Sequence, residues 1–104
     1  MLKEGYIARW KKYPKDEIKV RVANWPYKRN LLGPSKELLK DWKEGKIDWL
    51  EYERRFRKEI LSNSNAVAKL KEIKKLAEKK DVRLICYEKN PPCHRFMLIQ
   101  MAGR

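Results

Sequence analysis

Cys86, Glu88, Cys93, His94 and Arg95 fall within one short stretch, Leu84-Ile85-Cys86-Tyr87-Glu88-Lys89-Asn90-Pro91-Pro92-Cys93-His94-Arg95. It holds both cysteines and the only histidine of the chain. A thiol can attack an electrophile or cycle between oxidation states, an imidazole can move a proton near neutral pH, and a guanidinium can grip an anion. The stretch reads as the end of a buried strand, a polar turn, and a helix start primed by Pro91-Pro92. Cys93 then sits where the partial positive charge of a helix start, with nearby cations, favours the thiolate. The same amides suit a phosphate or carboxylate, and Arg95 can add a bidentate anion contact. Glu88 is placed to act as a general base, against the plainer reading of a solvated turn. The plain alternative for Cys93 and His94 is packing and surface. Neighbours on a helix do not face one another, which argues against a Cys93–His94 dyad. Cys86, mid-strand, reads as a small buried hydrophobe. A Cys86–Cys93 disulfide is not required in a reducing compartment. Two cysteines and one histidine fall short of the usual four zinc ligands and fit no common finger spacing, so neither metal nor cofactor is expected.

A second constellation precedes it. Trp25, Tyr27, Lys28 and Arg29 put aromatics and cations on one loop. That mixture suits stacking on a base while holding its phosphate. The alternative is a core Trp25 with a solvated turn.

The elements that must position these loops follow from patterning. Tyr6–Trp10 is β-prone and is closed by a turn around Pro14. Ile18–Val22 alternates apolar and basic residues, as a strand with one buried face does, and puts Arg21 toward solvent. Pro26 ends that strand. Ser35 is an N-cap for a short helix that stops near Gly45. Asp48 opens a second, with Glu51 at capping-box spacing and Trp49, Tyr52, Phe56 and Ile60 on one face. A third helix is expected from Ala66 to Lys79, with a lysine-rich outer side. The strand Val82–Tyr87 is almost wholly apolar, which suits cover on both faces. A last helix runs from about Pro92 to Ala102. Strand, strand, helices, strand, helix predicts an α/β fold of one domain over 1–104: a small three-layer sandwich with a mainly parallel sheet and a long helical crossover. Ligands in such sheets sit beyond the carboxyl ends of the strands. Both loops qualify, and they meet if their strands are adjacent.

The 104 residues carry 27 Lys+Arg against 14 Asp+Glu, a formal net charge of +13. Such an excess attracts polyanions, nucleic acid or nucleotides foremost. A heat-adapted surface explains the 39% of charged residues but not their imbalance. The start of the chain has no apolar run and no segment reads as a membrane span, which predicts a cytoplasmic protein without membrane contact. Walker-type loops, glycine-rich dinucleotide turns, serine nucleophile elbows and carboxylate pairs are missing, and Cys93 and Arg95 stand too close to form a phosphatase-like loop. Oligomeric state is not legible.

Three segments carry a family resemblance. The stretch Leu84–Arg95 resembles the strand-turn-helix signature, ending in Cys-His-Arg, of the prokaryotic domain-of-unknown-function family four-eight-eight. Trp49-Leu50-Glu51-Tyr52-Glu53-Arg54-Arg55-Phe56 is similar to that family's aromatic, arginine-rich helix. Trp25-Pro26 through Arg29, then Ser35-Lys36-Glu37-Leu38, is similar to its loop and helix start. The resemblance implies a three-layer α/β domain with Cys93, His94 and Arg95 at a pocket, and no particular substrate. Where relatives carry Asp-Val-Arg at the end of the second strand, this chain has Arg21-Val22-Ala23. If that acid and arginine are catalytic in relatives, the departure implies an inactive member. Three functional readings therefore stand. The leading one is binding of a phosphate-bearing ligand, nucleic acid or a nucleotide, with Arg29, Lys28 and Arg95 on phosphate and Trp25 or Tyr27 stacking. The others are a thiol-dependent enzyme using Cys93 with Glu88 or His94, and an inactive structural relative.

Overall fold

The computed structural model describes residues 1–24, 30–87 and 93–102. Strands β1 (Leu2–Tyr6), β2 (Ile18–Arg21) and β3 (Val82–Cys86) form one sheet in the order β1-β3-β2, with both pairs parallel. Val82 lies between Leu2 and Ile18, and Ile85 between Gly5 and Arg21. The central strand is the one with the continuous apolar run, because only a central strand is covered on both faces and both edges.

Side chains alternate across β3. Val82, Leu84 and Cys86 enter the core shared with Phe56, Leu70, Ile73, Met97 and Leu98. The opposite face presents Gly5, Arg83 and Ile85. The connection from β1 to β2 crosses it as a 3₁₀ turn over Ile7–Lys12, followed by Tyr13. A Cβ on Gly5 would stand 2.8 Å from both the Tyr13 ring and Arg83 Cδ, so only glycine lets that layer close down. The two crossovers step along the sheet in opposite directions, and right-handed crossovers of that kind lie on opposite faces. The third layer is therefore thin: one 3₁₀ turn and a tyrosine ring facing four helices.

Those helices are α1 (Lys36–Lys43), α2 (Trp49–Leu61), α3 (Ser64–Lys79) and α4 (His94–Ala102). Ser35 Oγ caps α1 by accepting from the Leu38 amide at 3.2 Å, and Asp48 caps α2 by accepting from the Glu51 amide at 2.8 Å. Glu59 of α2 accepts from the Ser35 amide at 2.9 Å and from its hydroxyl, which ties the start of α1 to α2. Gly45 ends α1 with φ 72°, a conformation that costs a residue with a side chain. Asn63 caps α3 through the Asn65 and Ala66 amides, so this helix begins at Ser64, two residues ahead of the expected Ala66.

The first strand also differs from expectation. Tyr6–Trp10 was the β-prone run, yet the strand is Leu2–Tyr6 and Ile7–Lys12 is 3₁₀. The Tyr6 amide donates to Tyr13 Oη at 3.0 Å, which diverts the backbone out of the ladder just where the aromatic run begins. The last strand stops at Cys86, one residue short of Tyr87. Among the described residues, no helix is long and apolar enough to cross a membrane.

Candidate functional site

The end of β3 and the start of α4 bring three reactive groups together. Cys86 is the last residue of β3, and Cys93 immediately precedes α4. Their sulfurs stand 3.0 Å apart. His94 Nδ1 lies 3.7 Å from Cys93 Sγ and 3.8 Å from Cys86 Sγ. Its Nε2 meets the Val22 carbonyl at 2.8 Å. A carbonyl only accepts, so Nε2 carries a proton and donates it there, which turns Nδ1 toward both sulfurs. Neither cysteine is in a disulfide, and all three residues are buried.

The helical spacing argument misplaced Cys93. It lies ahead of the first helical residue, so its side chain is not bound to the helical wheel and reaches the neighbouring ring. Cys86 is buried as expected, but its sulfur contacts Cys93 and His94 rather than apolar groups alone. No sequence spacing announces that contact; it arises because the end of β3 and the residue ahead of α4 lie side by side. Cys86 has its pKa pushed far above the ordinary thiol value, first by the hydrogen bond with Cys93 and then by burial. It stays a protonated thiol in a hydrogen bond with the Cys93 sulfur.

The cluster forms one wall of a cavity of about 230 Å³. Ala23 and Asn24, from beyond β2, line it together with Tyr87 and Cys93, so the flanks of the two sequence-predicted loops converge on one space. Asn24 is fixed there: its Nδ2 donates to the Pro34 carbonyl and its Oδ1 accepts from the Asn30 amide, each at 2.9 Å. Gly33 is required beneath it, since a Cβ there would lie 2.2 Å from Asn24 Oδ1.

Trp42 and Trp49, both half-buried, form the aromatic side of the cavity together with Lys43. Sequence reasoning set Trp49 on one helix face with Tyr52, Phe56 and Ile60 and named neither tryptophan as a site residue. Their rings make an edge contact at 5.3 Å, and Trp49 stacks on Tyr52 at 4.6 Å. Tyr52 stacks on Phe56 at 6.1 Å, and Phe56 meets the His94 ring edge-on at 5.5 Å. The heptad-like face of α2 thus runs from cavity wall to the back of the imidazole. The signal that could have found Trp42 and Trp49 is their position at facing ends of α1 and α2, where a helix face leaves the core.

Arg95 points elsewhere. It is fully buried, and its Nε donates to Glu4 Oε2 of β1 at 2.9 Å. Its guanidinium also lies over the Phe96 ring at 4.5 Å. A buried cation held by a carboxylate and a ring is satisfied by the protein itself. Trp25, Tyr27, Lys28, Arg29 and Glu88 lie outside the described residues.

With this geometry in place, comparison with known proteins adds one finding. The family model described as "Active DUF488-N3 subclade" matches residues 4–102, and the chain belongs to that family. No curated protein and no solved structure matches it.

Proposed function

We propose that this member of the family is a thiol-dependent enzyme, with Cys93 as nucleophile, His94 Nδ1 as its proton acceptor and Cys86 as a thiol hydrogen-bonded to the Cys93 sulfur. The observation that carries the reading is the Cys93–His94 contact of 3.7 Å at the wall of a cavity. A nucleophile in reach of a base, with the base oriented by a third group, is the arrangement that activates a thiol; here the third group is the Val22 carbonyl. The thiol proton passes to Nδ1 as sulfur attacks, and the leaving group departs with that proton. The cavity of about 230 Å³ is below the range of about 300–1,000 Å³ that suits drug-sized ligands. Trp42 and Trp49 offer flat faces and Lys43 a cation. A base-sized aromatic group with an anionic tail, as in a nucleotide, matches that lining. The description of the matched subclade as active supports chemistry over the inactive-relative reading.

The test is alkylation of metal-free protein by iodoacetamide at neutral pH, with mass spectrometry locating the adduct. Cys93 should react faster than a free thiol, and His94→Gln should slow it about 10²-fold or more. A Cys93 no faster than a free thiol in the folded protein defeats the reading.

One observation favours a second reading, attachment to a phosphate-bearing polymer. Lys71, Lys74, Lys75, Lys79 and Lys80 are exposed along α3 and just beyond it. That face supports weak, salt-sensitive affinity for nucleic acid. Titration of labelled single- and double-stranded oligonucleotides at two salt concentrations tests it, and binding indifferent to salt would refute it.

A further inference from the structure

We infer that Cys86, Cys93 and His94 form a three-ligand site for a soft divalent metal of the zinc class, with the fourth coordination position opening on the cavity. The inference shares residues with the thiol-enzyme reading but does not depend on it.

The three donor atoms, two sulfurs and one imidazole nitrogen, all lie within 4.8 Å of one another and are all buried. Tetrahedral zinc with Zn–S of about 2.3 Å and Zn–N of about 2.05 Å sets S···N near 3.6 Å and S···S near 3.8 Å. The two S···N distances here are 3.7 and 3.8 Å. The S···S distance is 3.0 Å, so the sulfurs must part by about 0.8 Å. Cys93 precedes the helix and has a χ1 torsion with which to make that adjustment.

The surroundings match what a ligating histidine needs. Nε2 donates to the Val22 carbonyl at 2.8 Å, the backbone hydrogen bond that fixes the tautomer and aims Nδ1 in metal sites. Phe56 packs edge-on against the ring and keeps it from turning. Soft thiolates with one imidazole select zinc or similar ions over magnesium and calcium, which take oxygen ligands. Sequence spacing argued against zinc because a closed structural site needs four protein ligands. A site with three protein ligands and an open position escapes that count. The cavity lined by Cys86, Cys93 and His94 leaves room for a fourth ligand, water or a bound small molecule.

Binding consumes both sulfurs. Two thiol protons leave to solvent, two S–metal bonds and one N–metal bond form, and no oxidant or reductant takes part. Metal and alkylating agent therefore compete for Cys93.

The test uses the full chain, reduced and stripped of metal by a chelator, titrated with Co²⁺ and followed by absorbance. The expected result is one Co²⁺ per chain, with a thiolate-to-cobalt charge-transfer band and the intense visible bands of a tetrahedral ion, both removed by Zn²⁺. Cys86→Ser and Cys93→Ser should abolish the charge-transfer intensity stepwise, and His94→Gln should weaken binding about tenfold or more. Circular dichroism checks that each variant is folded. Because a Cys86 variant can fail to fold, zinc protection of wild-type Cys93 from iodoacetamide gives an independent readout. Absence of a charge-transfer band in reduced wild type, or full alkylation of Cys93 under saturating Zn²⁺, overturns the inference. Slow alkylation of the metal-free protein together with a full cobalt spectrum defeats the enzyme reading and leaves this one standing.

Discussion

Two clusters of buried polar groups, one on each face of the sheet, are built in opposite ways. On the thin face, Arg83 donates from Nε and Nη2 to the two oxygens of Glu17 at 2.5 and 3.1 Å, and from Nη1 to the Glu4 carbonyl at 2.7 Å. Tyr13 covers the guanidinium, with its ring centroid 4.0 Å away. The Glu17 side chain is 1% exposed. The hydrogen bonds to Glu17, foremost, raise the Arg83 pKa further above its already high value. Every strong donor there meets an acceptor of the protein, so the arrangement is structural. On the helical face, Cys86, Cys93 and His94 bury weak donors and acceptors around one point and adjoin a cavity. Charge fully matched within the chain holds layers together; thiols and an imidazole with soft lone pairs beside open space are suited to chemistry.

The sharpest way to break this contrast is Glu17→Ala. It strands the Arg83 charge and should cost about 3–5 kcal/mol in urea unfolding, while the alkylation rate of Cys93 in the protein that remains folded stays within about twofold of wild type. A large loss of thiol reactivity in that folded fraction would show that the two faces are coupled. Gly33→Ala strikes the cavity side instead. The added methyl meets Asn24 Oδ1, and the shift should cost about 1–3 kcal/mol and change Cys93 reactivity, since Asn24 lines the same space. Stability unchanged within error would show that the loop accommodates the methyl without moving Asn24.

A third experiment uses pH. The folded Cys86 thiol holds its proton more tightly than the ordinary value of 9.0. Its contribution is complete below that pH. As pH rises beyond it, the unfolded chain releases a proton that the folded chain keeps, and stability falls by about 1.4 kcal/mol per pH unit from this group. Urea unfolding from pH 8 to 10 should show the decline, and Cys86→Ala should flatten it. An unchanged slope in the variant would assign the decline to other groups. The smallest effect expected is Cys93→Ala, about 1 kcal/mol in stability, with fast alkylation abolished. Activity of the thiol assay surviving in that variant would move the nucleophile to Cys86.

What could be read from the residues alone was whatever depends on neighbours in the chain. Ser35 and Asp48 declare helix starts because capping is local, and Val82–Cys86 declares a central strand because burial on both faces demands an apolar run. The first strand was hidden, since Lys3 and Glu4 on an edge strand look like a loop, and Tyr6–Trp10 carries the β-prone residues while Tyr13 bends it away. The site was half legible. Cys93 and His94 stand out by type and position, but the roles of Cys86, Trp42 and Trp49 come from contacts that only folding makes. Arg95 shows the reverse: a residue marked by its neighbours for a ligand, which the fold gives to Glu4.

Because β3 lies between β1 and β2, neither early strand has a partner until residues 82–86 exist. A ribosome making this chain releases β1, β2 and three helices before any ladder can close, and only the capped helices can hold shape meanwhile. The thiols and imidazole come together last of all, when α4 docks. An interruption after β3 but before α4 would leave Cys86 without Cys93 and His94 beside it and the helical face of the sheet uncovered, a form open to oxidation and aggregation.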